Sequence, residues 1–272
     1  MHAQLNIAIR AARRAGEIIM RALPRLHELT IHEKQPNDFV SEVDRLAEQE
    51  IIDTIRASYP DHSFLGEESG RLGEEHGEEN VWIIDPLDGT TNFLHGFPVF
   101  AVSIALQQRG VLQHGVVYDP SRQELFTASR GEGAQLDGRR IRVGKRTSLN
   151  GALVGTGFPY AQNLEYMDAY VAMFRAISEK TAGLRRPGAA ALDLAYLAAG
   201  RYDGFFEMGL HPWDMAAGAL LVREAGGLVG TFAGDERYLE AGNIVAGSPK
   251  VFADMLKTFA PHLPPALRRN AS

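Results

Sequence analysis

The segment Val81-Trp82-Ile83-Ile84-Asp85-Pro86-Leu87-Asp88-Gly89-Thr90-Thr91-Asn92 constrains this 272-residue chain more than any other. Its four consecutive apolar residues read as a short strand of the fully buried kind, ending at Asp85. Such a strand needs layers on both of its faces, which points to a mixed α/β protein of stacked sheets and helices. Asp85 then stands at the C-terminal end of the strand, where open α/β sheets place their ligands. Pro86 fixes the exit, and Asp88 follows within the same turn. Two carboxylates this close repel unless a cation lies between them, and hard divalent cations such as Mg²⁺ take oxygen ligands of this sort. Gly89-Thr90-Thr91 reads as a loop turning into a helix, with bare backbone N–H groups suited to a phosphate. A plainer description also fits: an Asp-Pro and Asp-Gly turn whose carboxylates cap backbone N–H groups.

The rest of the chain supports the layered reading. Residues 3–22 carry Leu5, Ala8, Ile9, Ala12, Ala15, Ile18 and Ile19 at helical spacing, with arginines opposite. Ser41 opens a second helix, Asp44 three residues later resembles a capping box, and Val43, Ala47, Ile51, Thr54 and Ile55 form the buried stripe. Strands are expected over 100–106, 111–118 and 124–128, with a hairpin at Leu136-Asp137-Gly138-Arg139. After Gly151 the pattern alternates. A strand over 152–156 precedes helices over about 165–179 and 189–199, and a strand over 203–207 follows. Pro212 starts a helix that stops at Gly226-Gly227. Strands over 228–232 and 243–246 and a helix from about Pro249 complete the chain. No repeat or linker divides it, so one domain of two packed halves, roughly 1–150 and 151–272, is expected.

Two further acidic positions matter. Gly66-Glu67-Glu68-Ser69-Gly70 follows Ser63-Phe64-Leu65 and places a Gly-flanked acidic pair at a strand end. The Glu74, Glu75, Glu78 and Glu79 run beside it reads as a solvated surface. His211-Pro212-Trp213-Asp214 puts an Asp in the first turn of a helix, where dipole stabilisation alone would account for it. Taken jointly, carboxylates at three chain-distant element ends plus a Gly-Thr-Thr phosphate loop are what a phosphatase using two or three metal ions requires.

These stretches, together with Trp213-Asp214-Met215-Ala216-Ala217-Gly218, residues 37–44 and the 188–200 helix, resemble the signature motifs of the inositol monophosphatase family. The likeness covers nearly the whole chain and is nearest to the bacterial inositol-1-monophosphatases. It implies an α-β-α-β-α sandwich, Mg²⁺ dependence, frequent Li⁺ inhibition and a homodimer. Glu67, Asp85 and the Leu87 carbonyl would hold one Mg²⁺, and Asp85, Asp88 and Asp214 a second. Thr90 and Glu67 would activate a water, with Asp44 supporting Thr90. Phosphate would sit on the ions and the N–H groups of Gly89 and Thr90. Substrate positions would include Arg185, Gly188, Ala189, Ala190 and Glu207, the last accepting hydrogen bonds from cyclitol or sugar hydroxyls. The implied reaction is hydrolysis of inositol 1-phosphate. Other sugar phosphates, fructose bisphosphate and adenosine bisphosphates are substrates elsewhere in the family.

Composition removes several alternatives. The absence of cysteine excludes disulfide scaffolds, thiolate zinc sites and Cys nucleophiles. A net charge of −6 argues against a broad nucleic-acid binder. The longest apolar runs, such as 215–222, fall far short of the ~20 residues of a membrane span. With no apolar signal core at the N-terminus, a soluble cytoplasmic protein is expected. His27-Glu28-Leu29-Thr30-Ile31-His32 spaces its histidines by five rather than four, so they do not share a helix face. Gly131-Glu132-Gly133 lacks the third glycine of a dinucleotide loop. Two rivals remain: Asp85 or Asp88 as a covalent nucleophile, and a regulatory binding role. Bacterial relatives are associated with antitermination complexes of RNA polymerase and Nus factors. The surface feature for such a role is Arg139, Arg140, Arg142, Lys145 and Arg146, which also reads as a solvated hairpin.

Overall fold

The computed structural model describes residues 2–28, 31–35, 38–73, 79–159 and 161–268. Helix α1 (Ala3–Ala22) buries the expected stripe, including Leu5, Ala8, Ala12, Ala15 and Ile19. Strands β1 (Ile31–Gln35) and β2 (Asp38–Ser41) form a separate antiparallel hairpin. Strand β2 runs directly into α2 (Glu42–Arg56), which begins with the expected capping box. Ser41 donates its N–H (2.8 Å) and its Oγ–H (2.6 Å) to Asp44 Oδ2.

A first sheet follows from β3 (Ser63–Gly66), β4 (Gly70–Leu72) and β5 (Asn80–Asp88). After the short helix α3 (Thr90–Leu94) come β6 (Ala101–Gln108), β7 (Val111–Asp119), β8 (Glu124–Ser129), β9 (Gly133–Leu136) and β10 (Arg139–Arg140). Its order is β10-β9-β8-β7-β6-β5-β3-β4, antiparallel except for β3 beside β5. The second sheet contains β11 (Leu153–Thr156), β12 (Gly183–Arg185), β13 (Gly204–Met208), β14 (Leu228–Gly230) and β15 (Asn243–Gly247), in the order β12-β11-β13-β15-β14. Its helices are α4 (Met167–Ser178), α5 (Ala190–Ala198), α6 (Pro212–Glu224), α7 (Tyr238–Ala241) and α8 (Pro249–Phe259).

Packing makes five layers. Helices α1 and α2 cover one face of the first sheet, with Ile51, Trp82 and Phe100 in the core between them. Helices α5 and α6 lie between the two sheets and touch both. Helices α4 and α8 cover the far side of the second sheet through Tyr170, Phe206 and Phe259. This is the α-β-α-β-α sandwich expected from the motifs. The central pair is apolar on every side because a sheet lies on each side of it, and residues 215–222 are all buried. Among the described residues no helix is long and apolar enough to cross a membrane.

The structure departs from the sequence reading at informative points. Strand β5 does not stop at Asp85 but continues to Asp88 through a register shift. Asp85 faces Ser103 and Asp88 faces Ala101, so three steps on β5 match two on β6. Pro86 has no N–H for the ladder, and a bulge is where a strand accommodates it. The helix expected from 165 starts as a 3₁₀ segment (Ala161–Tyr166) before α4. The β1–β2 hairpin and the edge strands β4 and β12 were not anticipated, being too short to show a period. Glu74, Glu75, Glu78, Asn37, Leu29 and Thr30 lie outside the described residues, whereas Glu79 is exposed and pairs with Arg109 (3.2 Å).

Helices α5 and α6 approach closely at Gly218, where a Cβ would lie 2.5 Å from Leu194 Cβ. Replacing a helical glycine by alanine gains about 1 kcal/mol of helix propensity. Overpacking a tight core costs about 1–3 kcal/mol, and that term should win here. Gly218→Ala is therefore expected to lower the urea midpoint. A raised midpoint would show that the two helices separate freely.

Candidate active site

A cavity of about 330 Å³ opens where the end of β5 meets the N-termini of α3, α5 and α6. Glu67, Asp85, Asp88 and Asp214 line it, with Leu87, Gly89, Thr90, Gly188, Ala190 and Glu207. The bulge explains how one strand supplies two of the carboxylates. A spacing of three would send Asp85 and Asp88 to opposite faces, and the extra residue returns both to the same side.

Each acid has its own support. Asp85 is buried, and its Oδ1 accepts the Leu87 N–H (3.0 Å). Asp88 Oδ2 accepts the Ala191 N–H (2.8 Å) at the start of α5. Asp214 sits in the first turn of α6, and its Oδ2 accepts the His211 N–H (2.6 Å). The Glu67 N–H donates to the Ile84 carbonyl (3.1 Å), which holds the end of β3 against β5. Glu48 fixes the same turn from α2, since its carboxylate accepts the N–H groups of Glu68 (3.0 Å) and Ser69 (2.8 Å). Sequence reasoning missed Glu48. The available signal was a second acid four residues after Asp44, inside an otherwise apolar stripe.

Thr90 Oγ1 lies 3.0 Å from Asp44 Oδ1 and 3.1 Å from the Leu87 carbonyl. A hydroxyl has one proton, so these two acceptors compete for it. Ser41 occupies the other Asp44 oxygen, which leaves Oδ1 for Thr90. Burial pushes the Asp44 carboxyl up, and the Ser41 and Thr90 hydrogen bonds hold it back. Gly89 turns the chain at φ +91°, where a Cβ would stand 2.8 Å from the Val99 carbonyl, so only glycine fits. Asn92 donates from Nδ2 to the Val99 (2.8 Å) and Pro187 (2.9 Å) carbonyls, joining α3 to the loop before α5.

The substrate positions divide. Arg185 is exposed outside the cavity, its Nη1 donating to the Leu184 carbonyl (2.9 Å), and the neighbouring Arg186 lines the wall instead. Successive residues leaving an extended strand point to opposite sides, which accounts for the exchange. Ala189 is buried behind the wall, where a Cβ on Gly89 would lie 3.3 Å from its own. Glu207 reaches the cavity from β13, and a Cβ at Gly157 would overlap its carboxylate, so that glycine makes the room. Asp193, also missed, lies behind Asp88 and Glu207. Its Oδ2 is buried with no hydrogen-bond partner among the described residues.

The electrostatics are those of crowded acid. Burial first, then Glu67, Asp88 and Asp214, push the Asp85 carboxyl well above the usual carboxylate range. Burial, then Asp88 and Glu67, do the same to Asp214. Asp88 is pushed up to about 6 by burial, against the N–H groups at the start of α5. Glu207 is pushed up to about 8 by burial and Asp88, with the Arg186 charge opposing. Among the described residues no three His, Asp or Glu side chains form a ready-made metal cage. The four acids face a shared space rather than one point. An all-oxygen donor set under mutual repulsion nevertheless suits a hard divalent cation, whose charge would relieve that repulsion.

Comparison with known proteins agrees. The sequence profile of the inositol monophosphatase family matches residues 1–262. The chain is 58% identical over 271 residues to "Nus factor SuhB" of Pseudomonas aeruginosa, covering 99% of this chain and all of that one. The crystal structure of the extragenic suppressor protein suhB from Bartonella henselae superposes with a TM-score of 0.92 at 43% identity, covering 95% of this chain and 98% of that one. Inositol monophosphatase from Anabaena gives 0.82 at 37% identity, covering 96% and 97%. With the acids of its motifs gathered around one cavity in the fold of these relatives, the chain belongs to the inositol monophosphatase family.

Proposed function

We propose that this phosphatase hydrolyses a polyol monophosphate, inositol 1-phosphate by preference, with Mg²⁺ as cofactor. The observation that carries the reading is the convergence of Glu67, Asp85, Asp88 and Asp214 on a cavity that three helix N-termini face. Glu67, Asp85, the Leu87 carbonyl, Asp88 and Asp214 would hold the ions. When bound, Mg²⁺ supplies charge neutralisation for the phosphate and lowers the pKa of water.

The remaining steps belong to the chain. Backbone N–H groups of Gly89 and Thr90 bind phosphate oxygens at the start of α3. Asp44 draws the Thr90 proton toward itself, so a Thr90 lone pair faces the cavity and accepts from the attacking water. Glu67 accepts from the same water. Cations at the acid end would cancel the Asp88 charge that raises Glu207, which favours its ionised form as an acceptor for substrate hydroxyls. The remote Glu67 and Asp214 favour attack by water over a covalent aspartyl intermediate.

The likeness to the Pseudomonas Nus factor supports a second role, as a Nus factor contacting the transcription machinery. The exposed residues for it are Arg139, Arg140, Arg142 and Lys145 at the edge strand β10 and just beyond. Arg146 is engaged with Asp203 (3.2 Å). In cells lacking the gene, Asp88→Asn protein should restore growth if contact with partners is what matters. Failure to rescue would tie the phenotype to hydrolysis.

Phosphate release from a panel of mono- and bisphosphates is the direct test of catalysis. Turnover of inositol 1-phosphate should require Mg²⁺ and stop with chelator. Asp88→Asn and Asp214→Asn should each lose at least about a hundredfold, the scale of removing one contact to developing charge. Near-normal Mg²⁺-dependent turnover by either variant would remove that residue from the metal site.

Stability gives an independent readout. Asp85, Asp88 and Asp214 bind protons more tightly folded than unfolded, where an Asp has pKa 3.8. The folded ion-free protein therefore carries more protons, and its stability falls as pH rises from about 4 through the folded values, about 6 for Asp88. Cations and protons compete for the same oxygens, so Mg²⁺ should raise Tm more near pH 8 than near pH 5. Equal shifts at both would place the binding elsewhere.

A further inference from the structure

Arg186 is the one arginine on the cavity wall among the described lining residues, in a space otherwise dominated by acids. Among the described residues no hydrogen bond or ion pair to a protein acceptor engages its guanidinium. It is also held in place. Its Cζ lies 5.6 Å from the centroid of the Phe158 ring. Phe158, 39% exposed, is itself backed by Phe174 (6.1 Å, stacked) and met edge-on by Tyr170 (5.4 Å). On the cavity side the guanidinium passes over Gly188, where a Cβ would stand 3.1 Å from Nη1. An arginine stacked on a braced aromatic ring has lost part of its freedom before any ligand arrives, so less is lost on binding.

Glu207 lies within electrostatic reach of the same guanidinium, on the same wall. An ionised carboxylate only accepts hydrogen bonds and a guanidinium only donates them. Neighbouring hydroxyls on a ring satisfy both at once, one O–H donating to Glu207 and the next oxygen accepting from Arg186. An aromatic leaving group without ring hydroxyls offers Glu207 no donor and Arg186 no neighbouring hydroxyl oxygen.

We propose that Arg186, pinned by Phe158 and paired with Glu207, selects the leaving alcohol and makes the site specific for ring polyol phosphates with adjacent hydroxyls. This rests on the phosphatase reading above and adds the residue that sets substrate preference. Arg186 touches the substrate, whereas Phe158 is a positioning residue acting through it.

The test measures kcat and KM with Mg²⁺ for myo-inositol 1-phosphate, p-nitrophenyl phosphate and fructose 1,6-bisphosphate. The proteins are wild type, Arg186→Ala, Arg186→Lys, Phe158→Ala and Phe158→Tyr, each checked for folding by thermal denaturation. In Arg186→Ala the preference for inositol phosphate over p-nitrophenyl phosphate should fall about tenfold or more, through KM, as expected for one lost charged hydrogen bond. Lysine should restore little of it, because a point charge lacks the planar fork. Phe158→Ala should move the ratio the same way by less, and tyrosine should rescue it. Parallel losses on both monophosphates, or no change in the ratio, would overturn the assignment. So would a larger loss on the bisphosphate, which would mean that the guanidinium reads a second phosphate. Wild-type protein that cleaves p-nitrophenyl phosphate but not inositol phosphate would overturn this inference and leave the phosphatase standing. Wild-type protein inert on all three would end both.

Discussion

The mutual repulsion of buried carboxylates at the end of β5 is the constraint around which the rest of the structure is arranged. Asp85 and Asp88 share one face of a bulged strand, and Glu67 and Asp214 are brought to it from either side. A core relieved of this burden would be more stable, so the cluster survives because other parts of the fold over-determine it. The N–H groups at the start of α5 hold Asp88, and the His211 N–H at the start of α6 holds Asp214. Glu48 ties the turn carrying Glu67 to α2. None of these contacts removes the repulsion; they prevent the acids from moving apart. The charge that would balance the site is that of the divalent cations proposed above, and the same repulsion would favour their binding.

Much of this was legible in the sequence because it rests on local chemistry. The capping box at Ser41 and Asp44, the apolar run ending at Asp85, and Pro212 with Gly226-Gly227 each state their structure within a few residues. The four acids were legible as a set, since Glu67, Asp88 and Asp214 stand where an element begins or ends and Asp85 closes an apolar run. What was not legible depends on register and on contacts between distant segments. The bulge at Pro86 is visible only against β6. The exchange of Arg185 for Arg186 depends on which way a three-residue edge strand faces, and no periodicity can fix that. Glu48 and Asp193 look like ordinary helical acids until the layers packed on them are known. Short pairings such as β1–β2 and β3–β4 exist because neighbouring segments supply hydrogen bonds, not because their residues announce them.

Asp44 shows how closely stability and chemistry are joined here. One of its oxygens takes both Ser41 donors and so starts α2; the other takes the Thr90 hydroxyl. The side chain that begins a helix in one layer thereby orients a hydroxyl on the cavity wall. Burial raises the Asp44 carboxyl, and the hydrogen bonds that oppose this are the same ones that do the positioning. Ionisation, capping and the direction of the Thr90 lone pair are one coupled state.

Helix α5 couples the two ends of the cavity in the same way. Its first N–H groups bind Asp88 at the acid end, and Arg186 and Gly188 just before it line the cavity wall. Behind both lies Asp193, buried in the first turn. The body of the helix is buried on all sides between the sheets, and α6 presses against it at Gly218. A displacement of α5 would therefore move the support of Asp88 and the wall formed by Arg186 and Gly188 together. Helix α5 thus ties the spacing of Arg186 and Gly188 to Asp88, while β13 carries Glu207 to the same wall. Under the substrate reading proposed above, that spacing would favour phosphomonoesters whose alcohol hydroxyls reach the far wall.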